Sequence, residues 1–230
     1  MDEVAHREFK SRLYEQFARV GKAVSNPHRL ELLELLAQGE RTVEALARAS
    51  NMSLASTSQH LQALRQGGLV QSKKVGLFVH YRISDDSVLE LARAIRTVAE
   101  RRLAELERVV REHFATRSEA EAISIQELLE RARSGRVVVL DTRPAEEYAA
   151  GHIAGAISVP FDQVEARLRE LPKSQVYVAY CRGPYCVYAD RAMELLRAHG
   201  RKAWRLSAGF PEWKLAGLPI QSGLEPGALK

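Results

Sequence analysis

Cys181 and Cys186, the only cysteines of this 230-residue chain, are the residues best suited to covalent chemistry, and they enclose the segment CRGPYC. The apolar run VYVAY ends just before Cys181, and a helical pattern begins near Cys186. The amides and dipole at a helix N-terminus stabilise an anion, and the neighbouring Arg182 adds positive charge. Gly183 permits the backbone to curl so that its amides face inward. These features favour a nucleophilic thiolate at Cys181.

Each cysteine also has a purely structural interpretation. Cys181 at a strand end can be a small buried apolar residue, which is a common role for a single cysteine. Cys186 can be a second reactive thiol that attacks sulfur carried on Cys181, or a packed residue in the first turn of a helix that points away. A disulfide between the two needs Cα atoms within about 7 Å, a distance that the sequence does not supply.

Short apolar runs alternate with helical patterns through the second half of the chain. This alternation predicts an α/β domain with a central parallel sheet. Ligands of such sheets bind beyond the carboxyl ends of the strands, which is where Cys181 is expected. The expected strands are 137–141, 156–160, 176–180 and 203–206, and the expected helices are 124–134, 162–170, 186–199 and 210–216.

Three segments of this half, LDTRPAEEYAAGHIAGAISVP, CRGPYC and LSAGFPEWKLAGLPI, together resemble the rhodanese domain over about residues 122–222. The resemblance implies a sulfurtransferase that needs no metal or organic cofactor. In it, Cys181 takes sulfane sulfur from a donor such as thiosulfate or a low-molecular-weight persulfide. The implied nucleophile is Cys181, and the implied loop residues that hold the persulfide are Gly183, Pro184, Tyr185 and Val187. Arg182, for its charge, and Cys186, as a second thiol, are the other candidate catalytic residues. The implied supporting residues are Asp141 and Arg143, as an ion pair, and His152.

One position departs from the rhodanese pattern. Thiosulfate-using relatives often carry Arg or Lys five residues after the nucleophile, where this chain has Cys186. That cation can meet the anionic oxygens of thiosulfate, so its loss argues against thiosulfate as the natural donor, and Arg182 replaces it only in part. A persulfide on Cys181 can instead be attacked by Cys186, which gives a disulfide or a sulfur-bridged pair and releases sulfide.

The first half of the chain predicts two short helices joined by a tight turn, and then a β-hairpin around Gly76. One long helix with a continuous apolar stripe is expected after it, over about residues 87–114. Segment 41–84 carries six Lys or Arg residues against a single acidic residue, Glu44. This order is typical of a winged helix-turn-helix, whose second helix enters the DNA major groove. Gln59 is long enough to hydrogen-bond to the edge of an adenine base, and the Lys and Arg side chains can contact the DNA phosphates. The predicted DNA contacts are Ser56, Thr57, Ser58, Gln59, His60, Arg65, Lys73, Lys74 and Arg82. Alternatively, these side chains only solvate an exposed face.

The segment NPHRLELLELLAQGERTVEALARASNMSLASTSQHLQALRQGGLVQSKKVGLFVHYRIS resembles the ArsR-type winged-helix repressors over about residues 10–110. The resemblance implies a mainly α-helical domain and a homodimer joined through the first and the long fifth helix. It also implies repression by occupancy of a two-fold symmetric double-stranded operator. Many members sense metals through thiolates on the third helix, and this half has none. His28, Asp85, Asp86 and His113 are too scattered for a zinc site, so no metal is expected.

The composition does not favour export or a membrane. No run of about 18 apolar residues is present, and the segment MDEVAHREFKSRLYEQF lacks the apolar core of a signal peptide. Two cysteines without an export signal indicate a reducing compartment, so a cytoplasmic location is expected. The apolar pattern lapses around residues 115–123, which gives expected domains at 1–117 and 122–222 and a flexible tail at 223–230.

The first half lacks the sensing thiols of its family, and the second half holds the only thiols of the chain. The leading hypothesis is therefore a dimeric repressor that carries sulfur on Cys181 and changes its operator binding with the sulfur or redox state. One alternative is a sulfurtransferase enzyme whose DNA-binding half only localises the enzyme or regulates its own operon. A second alternative is a redox switch, in which Cys181 and Cys186 form a disulfide without sulfur transfer.

Overall fold

A computed structural model of the chain describes residues 3–114, 122–133 and 137–223. The chain divides into two compact units, Met1–Ala94 and Ile95–Lys230. This division falls inside a helix, and the expected domain limits near residues 117 and 122 stay predictions. Nearly all of the expected flexible tail, which begins at residue 223, lies outside the described residues.

Four helices form most of the first unit, and side-chain caps mark where three of them begin. Asn26, Thr42 and Ser53 each accept a hydrogen bond of 3.2 Å from the amide three residues later. These caps satisfy amides that a helix N-terminus otherwise leaves unpaired. The helices are α1 Glu3–Val24, α2 Pro27–Leu36, α3 Val43–Ala49 and α4 Leu54–Gln66. Leucines of α2, α3 and α4 form the buried core between them.

A small antiparallel sheet completes the first unit, with strands β1 Arg41–Thr42, β2 Val70–Val75 and β3 Phe78–Ile83. β2 and β3 form the expected hairpin around Gly76, whose φ of 60° is left-handed and therefore suits glycine. β1 pairs with the other side of β3, and its two residues are too few for the sequence pattern to have indicated it. The sheet order β1-β3-β2 leaves the lysine-bearing strand β2 at an edge.

The region expected to form one helix over residues 87–114 contains two, α5 Asp86–Arg102 and α6 Ala104–His113. Leu103 between them has an extended backbone, with φ −111° and ψ 99°. Neither proline nor glycine marks the break, so the continuous apolar stripe predicted a single helix. α5 buries two residues near its start, whereas α6 buries none. No core contact therefore fixes α6 as a continuation of α5.

A five-stranded sheet of order β4-β9-β8-β5-β7 forms the centre of the second unit, and all of its pairings are parallel. The predicted parallel α/β architecture is therefore confirmed. The short strands β6 and β10 form a separate antiparallel pair. The strands are β4 Ala122–Ile123, β5 Val137–Asp141, β6 His152–Ile153, β7 Ile157–Ser158, β8 Val176–Tyr180, β9 Lys202–Leu206 and β10 Ile220–Gln221. The strands β4, β6 and β10 were not predicted, because two residues are too few to show an alternating pattern.

Helices cover both faces of this sheet. They are α7 Ile125–Arg133, α8 Ala145–Ala150, α9 Val164–Arg167, α10 Val187–Ala198 and α11 Phe210–Leu215. Tyr177 and Ala179 of β8 pack in the core with α10, and Val178 and Tyr180 pack on the other face with Trp213 of α11. Because successive side chains of a strand point to opposite faces, β8 is buried on both. The carboxyl ends of β5 and β8 meet at one edge, and Cys181 follows β8 directly.

Two helical expectations need correction in detail. The helix expected over residues 162–170 is the four-residue α9 with a 3₁₀ turn on each side, and α8 had not been predicted. Both segments are shorter than the window over which helical periodicity becomes visible. Across the described ranges, no helix is both long enough and apolar enough to cross a membrane.

Candidate functional site

The two cysteines lie at opposite ends of a closed loop between β8 and α10. Cys181 is 2% exposed, and Cys186 is the residue immediately before α10. They form a disulfide with Cα atoms 6.2 Å apart, inside the range that a disulfide requires. The Cys186 amide donates to the Gly183 carbonyl at 3.2 Å, which tightens the turn. The sequence left open whether the Cys186 side chain faces Cys181 or points away from it. In the structure its sulfur faces Cys181.

Gly209 packs against the backbone of this loop. A Cβ on Gly209 would lie 2.4 Å from the carbonyl carbon of Arg182, so only glycine fits without a shift of the loop. The next amide, that of Phe210, donates to the Cys181 carbonyl at 3.1 Å. Glu212 closes the turn, because its Oε2 accepts from the Gly209 amide at 2.8 Å. The residues at the start of α11 therefore position the cysteine loop.

Arg182 is held in an ion pair with Glu147 of α8. Its Nη2 and Nε donate to Oε1 at 2.6 and 2.9 Å, and Nε also lies 3.1 Å from Oε2. The Glu147 side chain is 1% exposed, so its carboxylate depends on this cation. From the sequence, Arg182 was expected to act as a cation beside Cys181. In the structure that charge is balanced by Glu147, which sequence reasoning had not selected.

Asp141 and Arg143 form a fully buried ion pair at the end of β5, with Nη2 and Oδ2 2.6 Å apart. Arg143 also donates to the Gly151 carbonyl at 2.7 Å, and the Tyr180 hydroxyl donates to Asp141. Burial disfavours the charged guanidinium, but the hydrogen bond and charge of Asp141 outweigh it and raise the pKa of Arg143. Burial and then the charge of Asp141 raise the pKa of Tyr180 well above its usual value. The cluster ties the ends of β5 and β8 together.

His152 is buried at the start of β6 and is 3% exposed. Its Nδ1 lies 2.8 Å from the Tyr148 carbonyl, and the two rings stack with centroids 3.6 Å apart. These contacts link α8 to β6, and the structural role that the resemblance implies for His152 stays a prediction.

Tyr185, between the two cysteines, contacts the end of α5. Its hydroxyl donates to Glu100 Oε1 at 2.7 Å. On the same helix, Arg96 Nη2 forms an ion pair with Glu212 Oε1 at 2.7 Å. All four residues belong to the unit Ile95–Lys230. The sequence offered no signal for either contact, because each joins residues 85 or more positions apart.

The remaining loop residues contribute mainly backbone. A Cβ on Gly183 would meet no atom within 4 Å, so this position faces open space. Pro184 has no amide hydrogen and cannot donate to a bound anion. Val187 is the first residue of α10. A persulfide cradle of the kind that the rhodanese resemblance implies therefore has to use amides other than that of Pro184.

The predicted DNA contacts divide by exposure. Ser56, Ser58 and His60 are half-buried, whereas Gln59, Arg65, Lys73, Lys74 and Arg82 are exposed. Thr57 is fully buried, and its hydroxyl donates to the Ser53 carbonyl at 2.9 Å. Thr57 therefore supports the start of α4 from inside, and its assignment as a DNA contact is corrected.

Several of these polar side chains have partners within the first unit. Lys73 pairs with Glu40 at 3.0 Å, so an acidic residue just outside the basic segment offsets part of its charge. His60 packs against His28 with ring centroids 5.4 Å apart. Burial, and then the charges of His28 and Arg29, lower the pKa of His60. No group of three or more His, Cys, Asp or Glu side chains in the described parts of the chain has the arrangement of a metal site.

Comparisons with known proteins match both halves. The family "Bacterial regulatory protein, arsR family" matches residues 26–72, and "Rhodanese-like domain" matches residues 124–216. The HTH-type transcriptional regulator Rv0324 of Mycobacterium tuberculosis is 46% identical over 218 residues, which cover 95% of this chain and 96% of that protein. The chain is an ArsR-family transcriptional regulator with a C-terminal rhodanese-like domain. Both resemblances seen in the sequence are confirmed.

Two further proteins resemble one half of this regulator each. A sulfurtransferase of Allochromatium vinosum is 33% identical over 84 residues, which cover 36% of the regulator and 78% of that protein. A solution structure from Mycobacterium bovis is described as a homodimeric winged helix-turn-helix DNA-binding domain. It is 47% identical, with coverage of 42% of the regulator and 89% of that chain and a TM-score of 0.39.

Proposed function

We propose that this regulator is a homodimeric, operator-binding repressor whose DNA affinity depends on the sulfur state of Cys181. The observation that carries the proposal is the position of Cys186, whose Cα lies 6.2 Å from that of Cys181. These are the only thiols of the chain, so a thiol-based response has to use them. The loop can then exist as a dithiol, as a persulfide on Cys181, or as a disulfide.

The sulfur chemistry needs no oxidant beyond the donor. The Cys181 thiolate attacks the outer sulfur of a low-molecular-weight persulfide, RS–SH. The RS–S bond breaks, RS⁻ leaves with the electron pair, and Cys181 becomes a persulfide. The Cys186 thiolate then attacks the Cys181 Sγ, forming the disulfide and releasing the outer sulfur as sulfide. Two molecules of a small thiol return the loop to the dithiol.

Helix α5 supplies a route from the loop toward DNA binding. Its first turns bury Val88 and Leu89 in the first unit, and its later turns carry Glu100, the acceptor of the Tyr185 hydroxyl. Opening the disulfide removes a constraint on the backbone on both sides of Tyr185. The hydrogen bond from the Tyr185 hydroxyl to Glu100 of α5 would then change. A coupling free energy of about 1–3 kcal/mol corresponds to a change of about 5–150-fold in DNA affinity.

The DNA-facing surface would consist of α4 and the hairpin. Gln59 is exposed on α4 and is the side chain suited to a base edge, while Lys74 and Arg82 are exposed on the hairpin and suit phosphates. The dimer is proposed because the similar Mycobacterium bovis domain is described as homodimeric. α1 of this chain also exposes Phe9 and Phe17, 60% and 58%, as an apolar stripe for a second copy to cover.

The test compares DNA affinity between defined sulfur states. Duplexes are selected from a random library by the dithiol and disulfide proteins separately and then titrated by fluorescence anisotropy. We expect the Kd of the wild type to differ by about fivefold or more between the two states. Cys186→Ser cannot close the disulfide, so any change in its affinity after persulfide treatment reports the persulfide on Cys181 alone. Equal wild-type affinities, with full conversion shown by intact mass, would contradict the proposal.

A second candidate function is that of a rhodanese-type sulfurtransferase, with the DNA-binding half only placing the enzyme or regulating its own operon. The likeness to a sulfurtransferase over 84 residues favours it, as does the position of Cys181 at the carboxyl end of β8. Repeated turnover with a persulfide donor and a thiol acceptor would support it. That turnover should be lost in Cys181→Ser and unaffected by DNA.

A third candidate is a redox switch without sulfur transfer, which the closeness of the two cysteines also favours. Intact-protein mass spectrometry after brief exposure to a low-molecular-weight persulfide separates it from the others. A gain of about 32 Da that needs Cys181 but not Cys186 indicates a persulfide carrier. A loss of about 2 Da that needs both cysteines indicates a disulfide, and the same loss with peroxide alone favours the redox switch.

A further inference from the structure

We propose that Glu147 determines which sulfur donor Cys181 accepts, by neutralising Arg182 and so excluding small dianionic donors such as thiosulfate. The proposal deepens the sulfur loading of Cys181 described above and rests on it. It makes Glu147, a residue of α8 outside the cysteine loop, a specificity-determining residue. The favoured donor class is an organic persulfide, whose transferred sulfur carries no oxyanion.

The ion pair between Arg182 and Glu147 has the geometry of a lasting contact. Two guanidinium nitrogens meet the carboxylate, at 2.6 and 2.9 Å from Oε1. The side chain of Glu147 is 1% exposed and that of Arg182 is 20% exposed. Breaking such a pair leaves a buried carboxylate without its cation, which is strongly unfavourable. Arg182 therefore cannot turn toward an incoming anion without a large cost.

The two guanidinium groups described beside the loop, those of Arg182 and Arg143, are each paired with a carboxylate. Arg182 is the only basic residue between Cys181 and Cys186. Arg143, at the end of β5, is fully buried and paired with Asp141 at 2.6 Å. The net charge of each ion pair is zero, so a dianion that approaches Cys181 gains little Coulomb attraction from either pair.

The two donor classes differ in the group that leaves. With thiosulfate, the Cys181 thiolate attacks the outer sulfur, the S–S bond breaks, and sulfite leaves with two negative charges. With an organic persulfide RS–SH, the leaving group is RS⁻, which carries a single charge at the reacting end. Both steps yield a Cys181 persulfide with atoms and electrons balanced. Only the sulfite route requires a cation to stabilise the charge that develops on the oxygens.

The experiment measures single-turnover release of sulfite from thiosulfate, and of thiol from an organic persulfide, by the reduced full-length protein. Glu147→Gln keeps the shape of the side chain and removes its charge, which leaves the positive charge of Arg182 unbalanced. We expect the thiosulfate rate constant to rise by about tenfold or more, and the persulfide rate constant to change by less than about threefold. Glu146→Gln, on the exposed side of the same helix, is the matched control and should change neither.

A double variant keeps the proposal testable even if Glu147→Gln does not fold. Glu147→Gln with Arg182→Gln removes both charges and leaves two amides that can hydrogen-bond to each other. We expect the ratio of its thiosulfate to its persulfide rate constant to lie within about twofold of the wild-type ratio, because any general effect on Cys181 cancels and no net charge has changed. A tenfold fall in that ratio would show that Arg182 already serves thiosulfate and would overturn the proposal.

The outcomes separate this proposal from the one on which it rests. If an organic persulfide loads Cys181 in the wild type but Glu147→Gln leaves the thiosulfate rate constant unchanged, only the role of Glu147 is wrong. A parallel rise with both donors likewise contradicts selectivity. If neither donor loads Cys181 in any folded variant, both proposals are wrong.

Discussion

At the scale of single residues, the site depends on charges that are buried and matched. Asp141 with Arg143 and Glu147 with Arg182 both lie beside the cysteine loop, and three of these four side chains are at most 1% exposed. Removing one partner from such a pair costs more than the pair itself contributes, because the remaining charge stays out of water. The Asp141 pair also holds Tyr180, so its loss affects the end of β8 next to Cys181.

We predict that Asp141→Ala lowers the free energy of unfolding by about 3–5 kcal/mol, since Arg143 is left buried without its carboxylate. Urea denaturation followed by circular dichroism measures it. The control is Glu107→Ala, which removes an ion pair with Arg111 in which both side chains are at least 70% exposed. That change should cost less than about 1 kcal/mol. A similar cost in both variants would show that burial does not govern these pairs.

At the scale of elements, two turns set the backbone conformation at the start of α4 and in the cysteine loop. The cap at Ser53 and the buried Thr57 hold the start of α4, so that Gln59 remains on its exposed side. The turn at Gly209 lies against the backbone of the cysteine loop, and the adjacent Phe210 amide binds the Cys181 carbonyl. In both places the local backbone geometry positions the proposed functional side chain, which is Gln59 on α4 and Cys181 in the loop.

Gly209→Ala should slow persulfide loading of Cys181 by about tenfold or more, because the added methyl forces the backbone at Arg182 to move and small misplacements are costly in catalysis. Rapid-quench mass spectrometry gives the rate. Gly21→Ala is the control, since a Cβ at that position meets no atom within 4 Å. An unchanged rate in folded Gly209→Ala would mean that the contact does not set the loop conformation.

Gln59→Ala and Lys74→Ala should weaken DNA binding in different ways. Loss of a base contact at Gln59 should cost about 1–3 kcal/mol and relax selectivity at one position of the site. Loss of a phosphate contact at Lys74 should weaken binding to all sequences and reduce the salt dependence by about one charge. Anisotropy titrations over a salt series distinguish the two patterns, with Lys10→Ala on α1 as the control. Identical patterns for both variants would remove Gln59 as a base-reading residue.

At the scale of the whole molecule, α5 is the element through which the proposed sulfur chemistry of the cysteine loop would change DNA binding. α5 begins in the unit Met1–Ala94 and ends in the unit Ile95–Lys230. Its later turns contact the candidate site twice, through Glu100 with Tyr185 and through Arg96 with Glu212. Glu212 in turn caps the Gly209 turn, so both ends of the cysteine loop connect to the same helix.

Glu100→Ala should separate sulfur chemistry from the DNA response. We expect persulfide loading of Cys181 to stay within about twofold of the wild type, because Glu100 does not touch the cysteines. The difference in DNA affinity between dithiol and disulfide should fall from about fivefold or more to about twofold or less. Glu90→Ala, exposed on the same helix, is the matched control and should keep the full response. A full response in Glu100→Ala would exclude this contact as the route.

The sequence by itself determined the architecture and the candidate nucleophile. Periodicities of two and of 3.6 residues are local properties, so β5, β8 and most helices could be placed within a residue or two. The caps Thr42 and Ser53 and the turn at Gly76 are likewise encoded by single residues. Both family resemblances rest on contiguous motifs, and they were enough to assign the DNA-binding half and the rhodanese-like half.

Only the tertiary structure decided the features that depend on contacts between distant segments. The 6.2 Å separation of Cys181 and Cys186, and the contact of Tyr185 with Glu100, depend on three-dimensional placement. Sequence alone could not distinguish the buried Glu147 from the exposed Glu146, and it did not reveal that Thr57 faces inward. Chain direction and side-chain orientation fix such pairings, and neither is visible in residue type or spacing. The donor selectivity and the coupling to DNA proposed here therefore rest on the fold rather than on the motifs.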